Sequence, residues 1–138
     1  ASAVPAAQRN WLVTRPARVI IEELRKNGHK QPVIGFPKGI GEGLITYVDQ
    51  SGVDAVGLDH GVDPVWVDRN LPQNFPVQGN LDPLSLLQAG PEMFRDIDHI
   101  LDAFANRPHI FNLGHGITPP TPTENVQLML DHVRRHRG

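Results

Sequence analysis

Four short β-type runs alternate with helix-patterned segments along this chain, and that alternation restricts its fold more than any other feature. The runs are Val33 to Phe36, Ala55 to Leu58, Phe75 to Gln78 and His109 to Leu113. Helical patterns cover Glu42 to Gln50, Pro64 to Asn70, Pro91 to Phe104 and Thr123 to His136. Strands separated by helices run parallel, joined by right-handed crossovers. The runs are short and apolar on both faces, as in a barrel or a doubly wound sheet. An α/β fold with parallel strands follows.

The helical segments each carry one apolar stripe. Val19, Ile20 and Leu24 form one. Phe94, Ile97, Ile100, Leu101 and Phe104 form the next, and Val126, Met129, Leu130 and Val133 the last. A further helical stretch, Pro5 to Lys26, precedes the first strand. Pro16 lacks an N–H and crowds the preceding turn, so a break is expected near it, with Thr14 capping the second piece. Pro83 stiffens a helix start after Asp82. Thr123 before Glu124 opens the last helix, with Gln127 close to capping-box reach. Arg134, Arg135, His136 and Arg137 close it. Cations suit a helix C-terminus, so this run reads as a solvated helix end.

At 138 residues the chain is the length of one domain, 1–138, and the alternation shows no internal sequence repeat beyond itself. A formal net charge of −2 gives no bulk electrostatic support for nucleic-acid binding. No apolar run approaches the ~20 residues of a membrane span, and no charged segment followed by an apolar one marks a secretory signal. With no cysteine in the chain, disulfides and thiolate metal sites are excluded. That composition fits a cytoplasmic protein. Gly-Ile-Gly-Glu-Gly at 39–43 lacks the spacing of a dinucleotide loop and the Lys-Ser or Lys-Thr of a P-loop.

The chemistry-bearing residues fall where the β-type runs end. Phe111 to Val126 reads Phe-Asn-Leu-Gly-His-Gly-Ile-Thr-Pro-Pro-Thr-Pro-Thr-Glu-Asn-Val: a strand, a glycine-flanked histidine, a proline-rich bend and a helix start. Gly114 and Gly116 leave the backbone around His115 unconstrained. The imidazole is thereby presented at a strand's C-terminal end, where parallel β/α folds keep their sites. Alone, such a histidine more often bonds a backbone carbonyl. A second strand-end segment, Val77 to Pro83 (Val-Gln-Gly-Asn-Leu-Asp-Pro), raises the weight of the functional reading.

These segments come in order with Pro-Val-Ile-Gly-Phe-Pro-Lys-Gly at 32–39 and Gly-Val-Asp-Ala-Val-Gly-Leu-Asp at 52–59. Taken together, the chain closely resembles the uroporphyrinogen decarboxylase family over nearly its whole length, and matches the C-terminal two-fifths of such an enzyme. The resemblance implies the later half of a (β/α)8 TIM-type barrel. It implies a cytoplasmic homodimer that removes the four acetate carboxyl groups of uroporphyrinogen III to give coproporphyrinogen III, without metal or organic cofactor. Such a pocket needs cations and donors for eight carboxylates, an acceptor for pyrrole NH groups, and an acid to protonate a ring carbon. The family supplies these from an Arg-rich segment, a central Asp, a Tyr, a Ser or Thr, and one late His. Of that set only the His falls here, at His115, as a substrate-binding residue able to donate from either ring nitrogen. Ser2 fits the segment after the family's serine, and Tyr47 does not match the pocket tyrosine.

Four further residues read as a pocket rim. Lys38 could reach a carboxylate, or be an ordinary loop lysine. Asp59 ends the second strand, with a loop-backbone acceptor role slightly favoured. Gln78 and Asn80, with Asp82, read as loop scaffolding beside the site. His60, His99, His109, His132 and His136 share no face or ligand spacing. Corrinoid-type zinc methyltransferases resemble this fold but need cysteine ligands, which this chain lacks. A rival from another class is a non-catalytic half-barrel that dimerises or docks on a missing partner half. The fragment alone is expected to be inactive.

Overall fold

The computed structural model describes residues 1 and 3–136; Ser2 and Arg137 lie outside the described residues. Four parallel strands, β1 (Ile34–Gly35), β2 (Ala55–Gly57), β3 (Val77–Gln78) and β4 (His109–Ile110), form one sheet in the order of the sequence. Gly35 pairs with Val56, Val56 with Val77 and Val77 with His109. Beyond the regular ladder, Leu81 and Leu113 form a further parallel bridge. Helix α1 (Arg15–Lys26) precedes β1; α2 (Leu44–Gln50), α3 (Pro64–Asn70), α4 (Pro83–Gln88) and α5 (Pro91–Ala103) lie between the strands, and α6 (Thr123–His136) follows β4. Sequential strand order with a helix after each strand is the arrangement of half an eight-stranded barrel.

One face of the sheet is covered and the other is open. Val56 and Val77 point toward the helices and are fully buried with Leu44, Val67, Leu86, Met93, Ile97 and Phe104. Gly35 sits in the same row. A Cβ there would lie 2.5 Å from the Tyr47 hydroxyl and 2.9 Å from Val53, so glycine is what lets α2 close on β1. On the opposite face, Ile34, Phe36 and Ile110 remain 42%, 47% and 50% exposed. The sequence reads as apolar on both sides of these strands, yet among the described residues only one side is covered by helices.

Helix starts follow local chemistry. Asp63 and Asp82 cap α3 and α4 by accepting from the amides of Val65 and Leu84, each with proline in the first turn. At α1 the sequence expectation is corrected. Thr14 is helical and buried, and its side chain makes no cap. Residues Asn10–Thr14 form a π-helical turn, in which the Arg15 amide donates to the Asn10 carbonyl. The wider turn carries the helix through Pro16 without the expected break. The stripe on α1 also differs: Ile21 is buried with Leu24 beside it, while Val19 and Ile20 face outward. On α6, Met129 is buried and Val126 and Val133 pack on the core, but Leu130 is exposed. Gln127 reaches forward to Asp131 instead of back to the helix start.

At the opposite end of the sheet from the strand termini, Arg107 is buried just before β4. Its Nε donates to Asp68 Oδ1 at 2.9 Å, and its Nη2 donates to the carbonyls of Asp68 and Leu71. The guanidinium lies over the Phe104 ring at 5.9 Å. This joins α3 to the approach of the last strand.

Candidate functional site

Because all four strands are parallel, the loops carrying Lys38, Asp59, Asn80 and His115 leave the same edge of the sheet. Those loops are stitched to one another in order. Asp59 Oδ2 accepts from the Gly39 amide at 2.7 Å and Oδ1 from Gly61 at 3.0 Å, which ties the first loop to the second. Asn80 is buried, and its Nδ2 donates to the carbonyls of Asp59 at 3.0 Å and Val62 at 2.7 Å, tying the second to the third. The Gly114 amide donates to Leu81 O at 2.7 Å, tying the third to the fourth. Asp59 thus spends both carboxylate oxygens on loop backbone, and Asn80 its amide nitrogen, while the buried Oδ1 of Asn80 has no hydrogen-bond partner among the described residues. Lys38 is exposed on the first loop.

A cleft of about 400 Å³ opens on the uncovered face at this rim, lined among others by Phe36, Gln78, Asn112, His115 and Ile117. Its floor follows the sheet register. Phe36 extends the row of Gly57, Gln78 and Ile110, since Gly57 pairs with Gln78 and Gln78 with Ile110. At Gly57 a Cβ would stand 3.0 Å from the Phe36 ring, so the missing side chain lets that ring lie across the floor. Asn112 lies two residues beyond Ile110 and so shares its face. Of the residues anticipated from sequence, Gln78 and His115 line the cleft; Lys38, Asp59 and Asn80 stand on the rim outside it. Phe36 and Asn112 were not anticipated, although period-two counting from the strands places both on the floor.

His115 is held by its own loop at one nitrogen. Its Nδ1 lies 2.9 Å from the Gly116 carbonyl, which can only accept, so Nδ1 carries a proton and Nε2 is the nitrogen left for a ligand. The expectation that either nitrogen could donate narrows to Nε2. In the neutral ring Nε2 accepts; in the imidazolium it donates. The His60 ring meets His115 edge to face, with centroids 5.0 Å apart and planes at 74°. His132 and His136 also turn out to share a face, since both contact Asp98, at 2.7 and 3.2 Å. Among the described residues no cluster of three or more His, Asp or Glu is arranged to hold a metal ion.

The fold and cleft together define a β/α-barrel-type α/β protein whose site opens at the C-terminal ends of its strands. The chain belongs to the uroporphyrinogen decarboxylase family, whose family model matches residues 2–136, and the members of that family are (β/α)8 barrels. It is 52% identical over 133 residues to the uroporphyrinogen decarboxylase of Novosphingobium aromaticivorans, covering 96% of this chain and 39% of that protein. The enzyme of the same name from Sphingopyxis alaskensis is 50% identical over 130 residues, covering 94% of this chain and 38% of the relative. That of Rhizorhabdus wittichii is 47% identical over 133 residues, covering 96% and 38%. The chain therefore spans about two-fifths of the length of these relatives, in their C-terminal portion. No helix among the described residues is long and apolar enough to cross a membrane.

Proposed function

We propose that this chain is the C-terminal half-barrel of a uroporphyrinogen decarboxylase, which converts uroporphyrinogen III to coproporphyrinogen III by removing four acetate carboxyl groups. The observation that carries the reading is the placement of His115 and Gln78 in one cleft at the strand ends, within a chain about half identical to relatives of that name. A tetrapyrrole with eight carboxylates is larger than this cleft, so the half-barrel supplies one wall, and the remaining strands of the barrel supply the other.

In this reading His115 binds a substrate carboxylate through Nε2. Gln78 and Asn112 offer amide donors and acceptors along the floor, and Phe36 packs against a pyrrole face. Lys38 adds positive charge at the mouth. Asp59 and Asn80 keep the loops in register and do not touch substrate. The acid, the pyrrole acceptor and the main carboxylate-binding cations belong to the rest of the barrel. The decarboxylase is cofactor-independent, acts as a cytoplasmic homodimer, and uses neither nucleic acid nor membrane as a partner. The support for these is the family resemblance.

The test is His115→Ala in the full-length protein that carries this chain, assayed with uroporphyrinogen III. Loss of one donor to a carboxylate is expected to cost about 1–3 kcal/mol of binding or transition-state stabilisation. Turnover within twofold of the unsubstituted protein would reject the role of His115. A second reading, a half-barrel that serves as an interaction module, draws on the open face of Ile34, Phe36 and Ile110. A full-length protein that folds, dimerises and leaves the porphyrinogen untouched would favour it.

A further inference from the structure

We propose that His60 is a positioning residue for His115: the loop after β2 sets the orientation of the imidazole that the loop after β4 presents to substrate. This rests on the reading of His115 as a substrate-binding residue.

His115 has little of its own to hold it. It stands between two glycines, and a Cβ at Gly116 would meet nothing within 4 Å, so the far side of its loop is open. One bond, from Nδ1 to the carbonyl of the next residue, restrains the ring. His60, by contrast, emerges from a clamped turn. Asp59 accepts from Gly39 with one oxygen and from Gly61 with the other, so the residue between Asp59 and Gly61 has a fixed backbone. The two loops touch main chain to main chain, because a Cβ at Gly114 would fall 2.2 Å from the His60 amide nitrogen. From this anchored position the His60 ring closes one side of the space through which His115 would otherwise rotate, with centroids 5.0 Å apart.

His60 does not enter the cleft. It lines a separate hollow with Asn80, Asp82 and His99. Its effect therefore passes through His115. The ring's shape matters for that purpose, and its nitrogens do not.

A double-mutant cycle in the full-length protein tests this, with kcat and KM measured on uroporphyrinogen III for His60→Ala, His60→Phe, His115→Ala and the double variant His60→Ala/His115→Ala. His60→Ala should raise KM about three- to tenfold and leave kcat within twofold. His60→Phe, which keeps a ring against His115, should restore KM. The double variant should match His115→Ala within twofold, because a wall has no effect once the ring it holds is gone. A silent His60→Ala beside a damaging His115→Ala overturns the proposal alone. So do losses that multiply in the double variant, or a His60→Phe as damaging as His60→Ala, since either gives His60 a substrate contact of its own. A silent His115→Ala instead sinks the reading of His115 on which the proposal stands.

Discussion

The Cβ position at Gly114 falls 2.2 Å from the backbone nitrogen of His60, closer than any two such atoms can stand. The obstacle is main chain, which cannot swing aside as a side-chain tip can. Gly114→Ala must separate the loops after β2 and β4 and strain the Gly114 bond to Leu81. A loss of about 1–3 kcal/mol is expected from denaturant unfolding of the full-length protein. Gly116→Ala, where the added methyl meets open space, should stay within ~0.5 kcal/mol. Equal losses at the two glycines would refute the backbone contact.

Arg107 and Asp68 form a pair in which the partners differ in access to water: the Arg107 side chain is fully enclosed, and that of Asp68 is 30% exposed. Removing the carboxylate strands a buried cation; removing the cation leaves a carboxylate that water can reach. Asp68→Ala is expected to destabilise by about 3 kcal/mol, at the low end for a broken buried pair because two carbonyls still accept from the guanidinium. Arg107→Met keeps the apolar stem and should cost less. Unfolding midpoints that rank the two in the opposite order would show that the charge is not what holds α3 to the start of β4.

Tyr47 is buried behind β1, and burial pushes its phenol above the ordinary tyrosine value. The unfolded chain then ionises first. The stabilisation is whole below about pH 10 and is lost as pH rises through the folded value. Thermal unfolding across the alkaline range should therefore show the parent protein losing stability above about pH 10 faster than Tyr47→Phe, with a constant offset below it. Parallel curves throughout would mean that the hydroxyl ionises in the folded state as easily as in water.

Much of this architecture was legible because buried strands must be apolar and must alternate with helices: Val56 and Val77 announced themselves by composition alone. The face of α1 was not legible. Val19, Ile20 and Ile21 are consecutive apolar residues, and periodicity cannot choose among them; Ile21 joins the core beside Gly52 and the other two stay outside. Pro16 causes no break because it stands in the first turn of α1, directly after a π-helical turn. At the candidate site, the placement of His115 and Gln78 at strand ends is readable from sequence, and both line the cleft. Asp59 accepts from the amides of Gly39 and Gly61. The contact between His60 and His115 was out of reach, because it depends on how two loops far apart in sequence meet across the rim. His132 and His136, four residues apart on one helix, share a face by helical spacing, and both meet Asp98.

The open face of the sheet leads to the last prediction. Ile34, Phe36 and Ile110 line what would be a barrel interior, β1 and β4 are unpaired edges, and Trp11 and Ile20 add apolar surface elsewhere. Contiguous apolar surface with free strand edges recruits a partner. The 138-residue chain expressed by itself should therefore associate with itself in a concentration-dependent way by sedimentation velocity. It should also fail to decarboxylate uroporphyrinogen III. Phe36→Ser with Ile110→Ser should weaken the association, because both act on the open face and neither contributes to the buried one. Adding the complementary N-terminal part should replace self-association by a one-to-one complex. A chain that stays monomeric at high concentration, or that turns over substrate unaided, would show that this face needs no partner and that the half-barrel account is wrong.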